Sequence, residues 1–212
     1  QRLARVNFSD YTHVILVNGN YSAIPERAVN NLAMWLEKGG VLIGQKSGAK
    51  WLAQQEWLKA DFVSKKTLDE LFDSSGLSYG DKEQLAARKR IAGAIYQGQL
   101  DLNHPLAFGY NSEYLPMFKN STLIMKQTKA PFLSVVNYTE KPLLSGYSDR
   151  NLVNQIASNS AMIAHNYGAG RVIGFTDNLT FRGYWLGSAK LLANSLFFSK
   201  AFSVNAPRQT EE

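Results

Sequence analysis

The chain has 212 residues, of which 45% are hydrophobic and 19% charged, so it suits a folded α/β domain and excludes a disordered protein. It contains no cysteine, which excludes disulfides, thiolate metal sites and a cysteine nucleophile within this sequence. The net charge of +6 comes from scattered Lys and Arg residues without a nucleic-acid-binding motif, and no apolar run has the length of a membrane span. We therefore expect neither a nucleic-acid partner nor a membrane-spanning segment.

The first part of the chain alternates between strands and helices. Residues 13–17 form a short apolar run, which is typical of a strand covered on both faces. Apolar residues three and four positions apart follow Pro25 and predict a helix that ends at Gly39 and Gly40. Residues 41–44 predict a second strand, and a second helix begins near Ser47. Strands and helices that alternate over short connections predict an α/β fold with a doubly wound, mainly parallel sheet.

The middle of the chain is less regular. Residues 61–90 are polar and contain helix-breaking positions, so we interpret them as an irregular insertion with one or two short helices. Apolar runs predict further strands over residues 91–100, 122–125 and 132–136.

The last third predicts an antiparallel extension of the sheet. Residues 161–164 and 171–175 are apolar runs on either side of a glycine-containing turn, which is typical of two antiparallel strands. A final helix is predicted from about Gly187. We expect one domain over residues 1–202 and a flexible polar tail over residues 203–212.

The junction between the second strand and its helix has the sequence Gly44-Gln45-Lys46-Ser47-Gly48. A strand, a turn between two glycines and a helix start form the local pattern of a nucleophile elbow. Lys46 occupies the position of the nucleophile, and its amine is protonated near neutral pH unless it is strongly desolvated. We therefore predict no catalytic residue in this chain.

A ligand pocket is still possible at this place, because open α/β sheets bind ligands beyond the carboxyl ends of their strands. Three loops should meet there, and their candidate residues are Asn18, Gly19, Gln45, Lys46, Ser47, Gly48, Asp177, Asn178 and Arg182. One interpretation is a site for a carboxylate or similar small anion. The other is a structural remnant in which Lys46 pairs with an acidic residue, with Asp177 the first choice. Ser47 is expected to cap the helix.

The remaining candidates favour structural roles. His13, His104 and His165 lack the spacing of metal ligands, so we expect no metal or cofactor in this chain. Phe181, Tyr184 and Trp185 form either a binding platform or part of the core.

Three longer segments carry a family resemblance. They are Trp-Leu-Glu-Lys-Gly-Gly-Val-Leu-Ile over residues 35–43, Leu-Asn-His-Pro-Leu-Ala-Phe-Gly-Tyr over 102–110, and Asn-Leu-Thr-Phe-Arg-Gly-Tyr-Trp-Leu-Gly over 178–187. Together with Asn194, Phe197 and Phe198, they resemble the C-terminal domain of some secreted bacterial zinc carboxypeptidase-like proteins. That domain in turn resembles the class I glutamine amidotransferase fold, which is flavodoxin-like.

The resemblance implies a fold and a context. It implies an amidotransferase-like domain that packs on or positions an upstream peptidase domain of the same polypeptide, in a secreted or periplasmic protein. Zinc and proteolysis would then belong to the parent metallocarboxypeptidase-like hydrolase, because no His-x-x-Glu segment is present here. The amidotransferase fold would also imply a Cys at the elbow and a late His-x-Glu. This chain departs from both, since the elbow has Lys46 in place of Cys and residues 176–178 contain no His. The expected function is a non-catalytic accessory domain, and the alternatives are the small-anion pocket at Lys46 and a binder of acidic polymers.

Overall fold

Seven strands form one sheet in the computed structural model, which describes residues 5–206. In chain order they are β1 (His13–Leu16), β2 (Val41–Gln45), β3 (Ala94–Leu100), β4 (Tyr114–Lys119), β5 (Ser134–Gly146), β6 (Ser160–Tyr167) and β7 (Gly170–Phe175). Their order across the sheet is β1-β2-β7-β6-β5-β3-β4. The two edges of the sheet are therefore the first strand and a strand from the middle of the chain.

Six α-helices accompany the sheet in this part of the chain. They are α1 (Glu26–Glu37), α2 (Ser47–Gln54), α3 (Lys65–Glu70), α4 (Lys82–Arg88), α5 (Arg150–Ile156) and α6 (Leu186–Phe197). None of these helices has the length and apolar character that crossing a bilayer requires.

The predicted α/β class is confirmed, and so is the predicted antiparallel pair of β6 and β7. The balance of strand directions differs from the prediction, because β1, β2 and β7 run parallel while four of the six described strand pairs are antiparallel. The reason is that consecutive strands after residue 90 mostly pair without the helical crossover that a parallel connection needs. The sheet is therefore mixed, with a parallel flavodoxin-like part at one side.

Apolar side chains cover both faces of the sheet. Along β2, Leu42 points into one core cluster with Leu36 and Leu52 from helices α1 and α2. Its neighbours Val41 and Ile43 point into the other cluster, which includes residues of α5 and α6. Because alternate residues of a strand face opposite sides, a strand buried on both faces must be apolar at every position. This explains the continuous apolar run from which β2 was predicted.

Several elements in the middle of the chain differ from prediction. Residues 122–125 contribute an isolated bridge at Met125 and no strand, and the edge strand β4 and helix α5 were not predicted. One or two short helices were predicted within residues 61–90, and two are present, as α3 and α4.

The structure describes the first four residues of the tail that was predicted to be flexible. The N–H group of Asn166 donates to the carbonyl of Val204 at 2.7 Å, and its side chain donates to Ser203 and Asn205. Residues 203–205 thus contact the end of β6, on the side where the pairing with β5 stops at Ile163. Residues 207–212 lie outside the described residues.

Candidate functional site

The turn between β2 and α2 holds Lys46 in an unusual backbone conformation. Its φ is 53° and its ψ is −117°, in a region that side chains other than glycine rarely adopt. The N–H of Lys46 donates to the carbonyl of Phe175 in β7 at 2.8 Å, which fixes the turn to the neighbouring strand. The predicted strand-turn-helix arrangement with Lys46 at its tip is confirmed.

The two glycines of the turn let α2 approach the sheet closely. A Cβ atom at Gly44 would lie 2.7 Å from the Cα of Ala49, and one at Gly48 would collide with the carbonyl oxygen of Leu16 in β1. Such contacts leave no room for any side chain. The spacing of the glycines on either side of Lys46 thus has a steric cause, namely a helix that begins directly against two strands.

Ser47 connects the elbow to the loop after β1. Its Oγ accepts a hydrogen bond from the N–H of Gly19 at 2.7 Å and lies 3.0 Å from Oδ1 of Asn18. The prediction that Ser47 caps α2 is wrong, because the cap position is Lys46 and the hydroxyl is used by the neighbouring loop. Three of the predicted pocket residues are therefore brought together, but the hydroxyl is engaged in holding two loops to each other.

The side chain of Lys46 does not pair with Asp177, so that prediction is also wrong. Its Nζ donates to Oδ1 of Asn120 at 2.8 Å, at the residue that follows β4. Burial lowers the pKa of the Lys46 amine; the nearby Asp177 carboxylate favours the protonated form and Lys119 opposes it. Lys46 is thus a half-buried amine beside a carboxylate that other groups already occupy.

Those other groups form a buried network that sequence reasoning missed. Lys119 has no exposed surface, and its Nζ lies 3.1 Å from Oδ1 of Asp177, 3.2 Å from the hydroxyl of Tyr138 and 2.9 Å from the carbonyl of Leu123. All of these partners accept from the ammonium. An ion pair without water needs such extra hydrogen bonds, because otherwise the loss of hydration exceeds the attraction between the charges.

The second oxygen of Asp177 is occupied as well. The Tyr138 hydroxyl donates to Oδ2 of Asp177 and lies 2.9 Å from Oγ1 of Thr176. Burial, together with the adjacent Asp177 carboxylate, raises the pKa of the Tyr138 phenol well above its usual value. The phenol therefore stays protonated and acts as a donor, and each oxygen of the Asp177 carboxylate already accepts one hydrogen bond from a buried partner.

The last two predicted pocket residues lie in the loop that follows β7. Oδ1 of Asn178 accepts from the N–H of Thr180 at 3.1 Å, so this side chain shapes its own turn. Arg182 is exposed, and its guanidinium lies 5.3 Å from the centre of the Phe181 ring. Neither side chain has a hydrogen bond or an ion pair with Lys46. The structure thus assembles the elbow with Asp177 nearby, while Asn178 and Arg182 make other contacts.

The chemistry open to this site is limited. An acyl-transfer site needs a nucleophile within hydrogen-bond reach of a base, and the side-chain partner of Lys46 is the amide of Asn120, which is not a base. Across residues 5–206, no three His, Cys, Asp or Glu side chains converge as metal ligands would. The groups of the elbow that could contact a ligand are hydrogen-bond donors, namely the Lys46 amine and the backbone N–H groups at the start of α2.

Apolar side chains cluster where the end of β4 meets the loop after β7 and the start of α6. The Phe118 and Phe181 rings stack with their centres 4.0 Å apart, and Trp185 stacks on Phe118 at 6.3 Å. Next to them Tyr184 is 79% exposed and Leu186 is 77% exposed. We call these five residues the aromatic surface. Stacking accounts for Phe181 and Trp185, whereas Tyr184 is not part of the core.

Comparison with known proteins finds likeness in structure and none in sequence. No protein-family profile matches the chain, and no curated protein does. A ThuA-like protein from Parabacteroides merdae matches with a TM-score of 0.58 and 14% identity, over 96% of this chain and 76% of that one.

Two further solved structures share the fold. PurLQS from Thermotoga maritima matches with a TM-score of 0.51 and 16% identity, over 90% of this chain and 81% of that one. A cytoplasmic protein from Salmonella typhimurium matches with a TM-score of 0.50 and 12% identity, over 90% of this chain and 72% of that one. At such low sequence identities the structural likeness shows a shared fold and does not indicate a shared function. The chain has a class I glutamine amidotransferase-like fold.

Proposed function

We propose that this chain is a non-catalytic accessory domain of a larger secreted or periplasmic zinc carboxypeptidase-like protein. In that protein it packs on, or positions, an upstream peptidase domain of the same polypeptide. Two observations support the proposal: the resemblance in sequence to the C-terminal domain of such proteins, and an elbow that has Lys46 where a nucleophile would be. Zinc and the proteolytic chemistry belong to the upstream domain.

The observation that carries the non-catalytic role is the elbow itself. The fold keeps the sharp turn and its two closely packed glycines, yet the tip holds a lysine whose amine is bound to Asn120. The hydroxyl of Ser47 is bound to the loop at Asn18 and Gly19. Acyl transfer requires an activated nucleophile, and neither of these groups has a base beside it.

The aromatic surface supports a role in packing. Large apolar side chains that cluster on the outside of a protein commonly mark an interaction site. Tyr184 packs edge-on against Trp185, which itself stacks on Phe118, and Leu186 is exposed next to them. This surface is the part of the domain that we assign to the contact with the peptidase domain.

The proposal is tested first by the reading frame upstream of Gln1. It should encode a His-x-x-Glu segment with a later His, as a zinc peptidase domain requires. In the full-length protein, the double substitution Tyr184→Ser and Leu186→Ser should lower the melting temperature of the peptidase domain and leave that of the isolated chain unchanged. Phe197→Ser is the matched control, since Phe197 is 82% exposed and lies outside the aromatic surface.

Two results would contradict this function. One is an initiating Met within a few residues upstream of Gln1. The other is hydrolysis of activated esters or amides by the isolated chain that disappears in folded Lys46→Ala. The second result would show that the elbow still works as an active site.

A further inference from the structure

The elbow and the buried network together hold one positive charge in excess. Lys119 and Asp177 lie 3.1 Å apart and neutralise each other within the core. Lys46 has no carboxylate within ion-pair distance among residues 5–206, although it is close enough to both groups to sense their charges. A half-buried ammonium without a counter-ion is unfavourable, because it has lost part of its hydration and gained no opposite charge.

The groups around this ammonium are donors. A lysine ammonium can only donate, so the side-chain oxygen of Asn120 faces Lys46 and the Nδ2 of the same amide is left for another acceptor. That Nδ2 donates to no group in the described part of the chain. The N–H groups of Ser47 and Gly48, in the first turn of α2, likewise have no acceptor there.

The acceptors close to Lys46 each already accept one hydrogen bond. Oδ1 of Asp177 accepts from Lys119, and Oδ2 accepts from Tyr138. The side-chain oxygen of Asn120 accepts from Lys46 itself. An excess of one charge and a set of unused donors call for a ligand that brings one negative charge and two acceptor oxygens.

We propose that the elbow binds the carboxylate group of a small monoanionic molecule through the ammonium of Lys46 and the side-chain amide of Asn120. A carboxylate fits the single excess charge, whereas a phosphate dianion would leave the site with a net negative charge. This binding does not depend on the accessory role or on an upstream domain. It also gives a reason for a lysine at a strained position, where glycine would fit the backbone but supply no amine.

The experiment titrates the ¹⁵N-labelled chain with acetate and follows the amide signals of Ser47 and Gly48. Acetamide, which has the same shape and no charge, and inorganic phosphate are titrated in parallel. We expect saturable shifts with acetate in the millimolar range, weaker binding as salt is added, and no saturation with acetamide. Lys46→Met should weaken acetate binding by about tenfold or more, since it removes a charge-assisted hydrogen bond.

Two further variants complete the test. Lys50→Met is the matched control, because Lys50 is exposed on the same helix, and its affinity for acetate should equal that of the wild type. Asn120→Asp places a carboxylate beside Lys46, so it should abolish acetate binding and raise the melting temperature. This variant also carries the test if Lys46→Met fails to fold.

Several outcomes would overturn the proposal. They are the absence of saturable shifts with acetate, equal affinity in Lys46→Met, or unchanged acetate binding in Asn120→Asp. Saturation by acetamide with the affinity of acetate would show that charge is irrelevant. Tighter binding of phosphate than of acetate would refute the carboxylate as the ligand class.

Discussion

Two lysines close to Asp177 have opposite surroundings. Lys119 ends strand β4, is fully buried, and binds a carboxylate, a phenol and a carbonyl. Lys46 follows strand β2, is half-buried, has a strained backbone, and binds an amide oxygen. Lys119 has the carboxylate and the extra hydrogen-bond acceptors that a buried ion pair requires. Lys46 has no carboxylate partner. From this difference we expect Lys119 to stabilise the fold and Lys46 to bind the proposed carboxylate ligand.

The largest effect is expected from breaking the Lys119 network. Lys119→Met leaves the carboxylate of Asp177 buried without its cation, which should lower the free energy of unfolding by about 3–5 kcal/mol. Urea unfolding at pH 7 measures the change. The double variant Lys119→Met with Asp177→Asn should recover part of the loss, because residue 177 then no longer carries a buried charge without its cation.

An exposed pair provides the control for that loss. Lys66 and Glu70 lie one helical turn apart at 3.9 Å with both side chains exposed, so Lys66→Met should change stability by less than about 0.5 kcal/mol. If Lys119→Met is as mild as Lys66→Met, the buried network is not what stabilises this edge of the sheet.

The second prediction concerns the close packing that creates the elbow. Gly48→Ala places a methyl group against the carbonyl of Leu16, so β1 and α2 must separate, at a cost of about 1–3 kcal/mol. Gly19→Ala is the matched control in the adjoining loop, since its added Cβ has 4.0 Å to the Tyr21 ring. It should stay within about 0.5 kcal/mol of the wild type. Thermal unfolding of both variants would show whether the turn is sterically enforced.

The contrast between the two lysines also shows how far the sequence predicts this site. The elbow was predicted because its cause is local: two glycines flank one residue between an apolar strand and a helix. The Lys119 network was missed because Lys119 and Asp177 are 58 positions apart and their contact depends on strand order. Strand β4 itself was missed because it contains Pro116, which a sheet tolerates at an edge strand.

The third prediction extends the rule that this core does not accept an unpaired charge. His165 is fully buried; its Nε2 accepts from the N–H of Lys59 at 2.9 Å, so the ring is neutral and Nδ1 donates to the carbonyl of Asn166. Burial is the main cause that lowers the pKa of His165 below 6.5. As the pH falls below about 6.5, the imidazole is protonated in the unfolded chain but stays neutral in the folded chain. The contribution of His165 to the free energy of unfolding is therefore present above that pH and is lost as the pH falls below it.

The loss should reach at most about 1.4 kcal/mol per pH unit for this one group. Urea unfolding between pH 7 and pH 5 measures it, and His165→Gln should flatten the pH dependence. His13→Gln is the control, since His13 is only half-buried and should leave most of the slope in place. An unchanged slope in His165→Gln would show that other groups cause the acid sensitivity.

The smallest effect isolates the strained backbone of Lys46. At its φ of 53°, Lys46→Gly removes the conformational penalty that Lys46→Ala retains, and both variants lose the same hydrogen bond to Asn120. Lys46→Gly should therefore be the more stable of the two by about 1 kcal/mol. At Lys50, within helix α2, the order should reverse by a similar amount, because glycine weakens a regular helix relative to alanine. Thermal unfolding of the four variants gives the two differences. If glycine is the less stable residue at both positions, Lys46 is not strained, and its place at the tip of the elbow gives no reason to assign it a binding role.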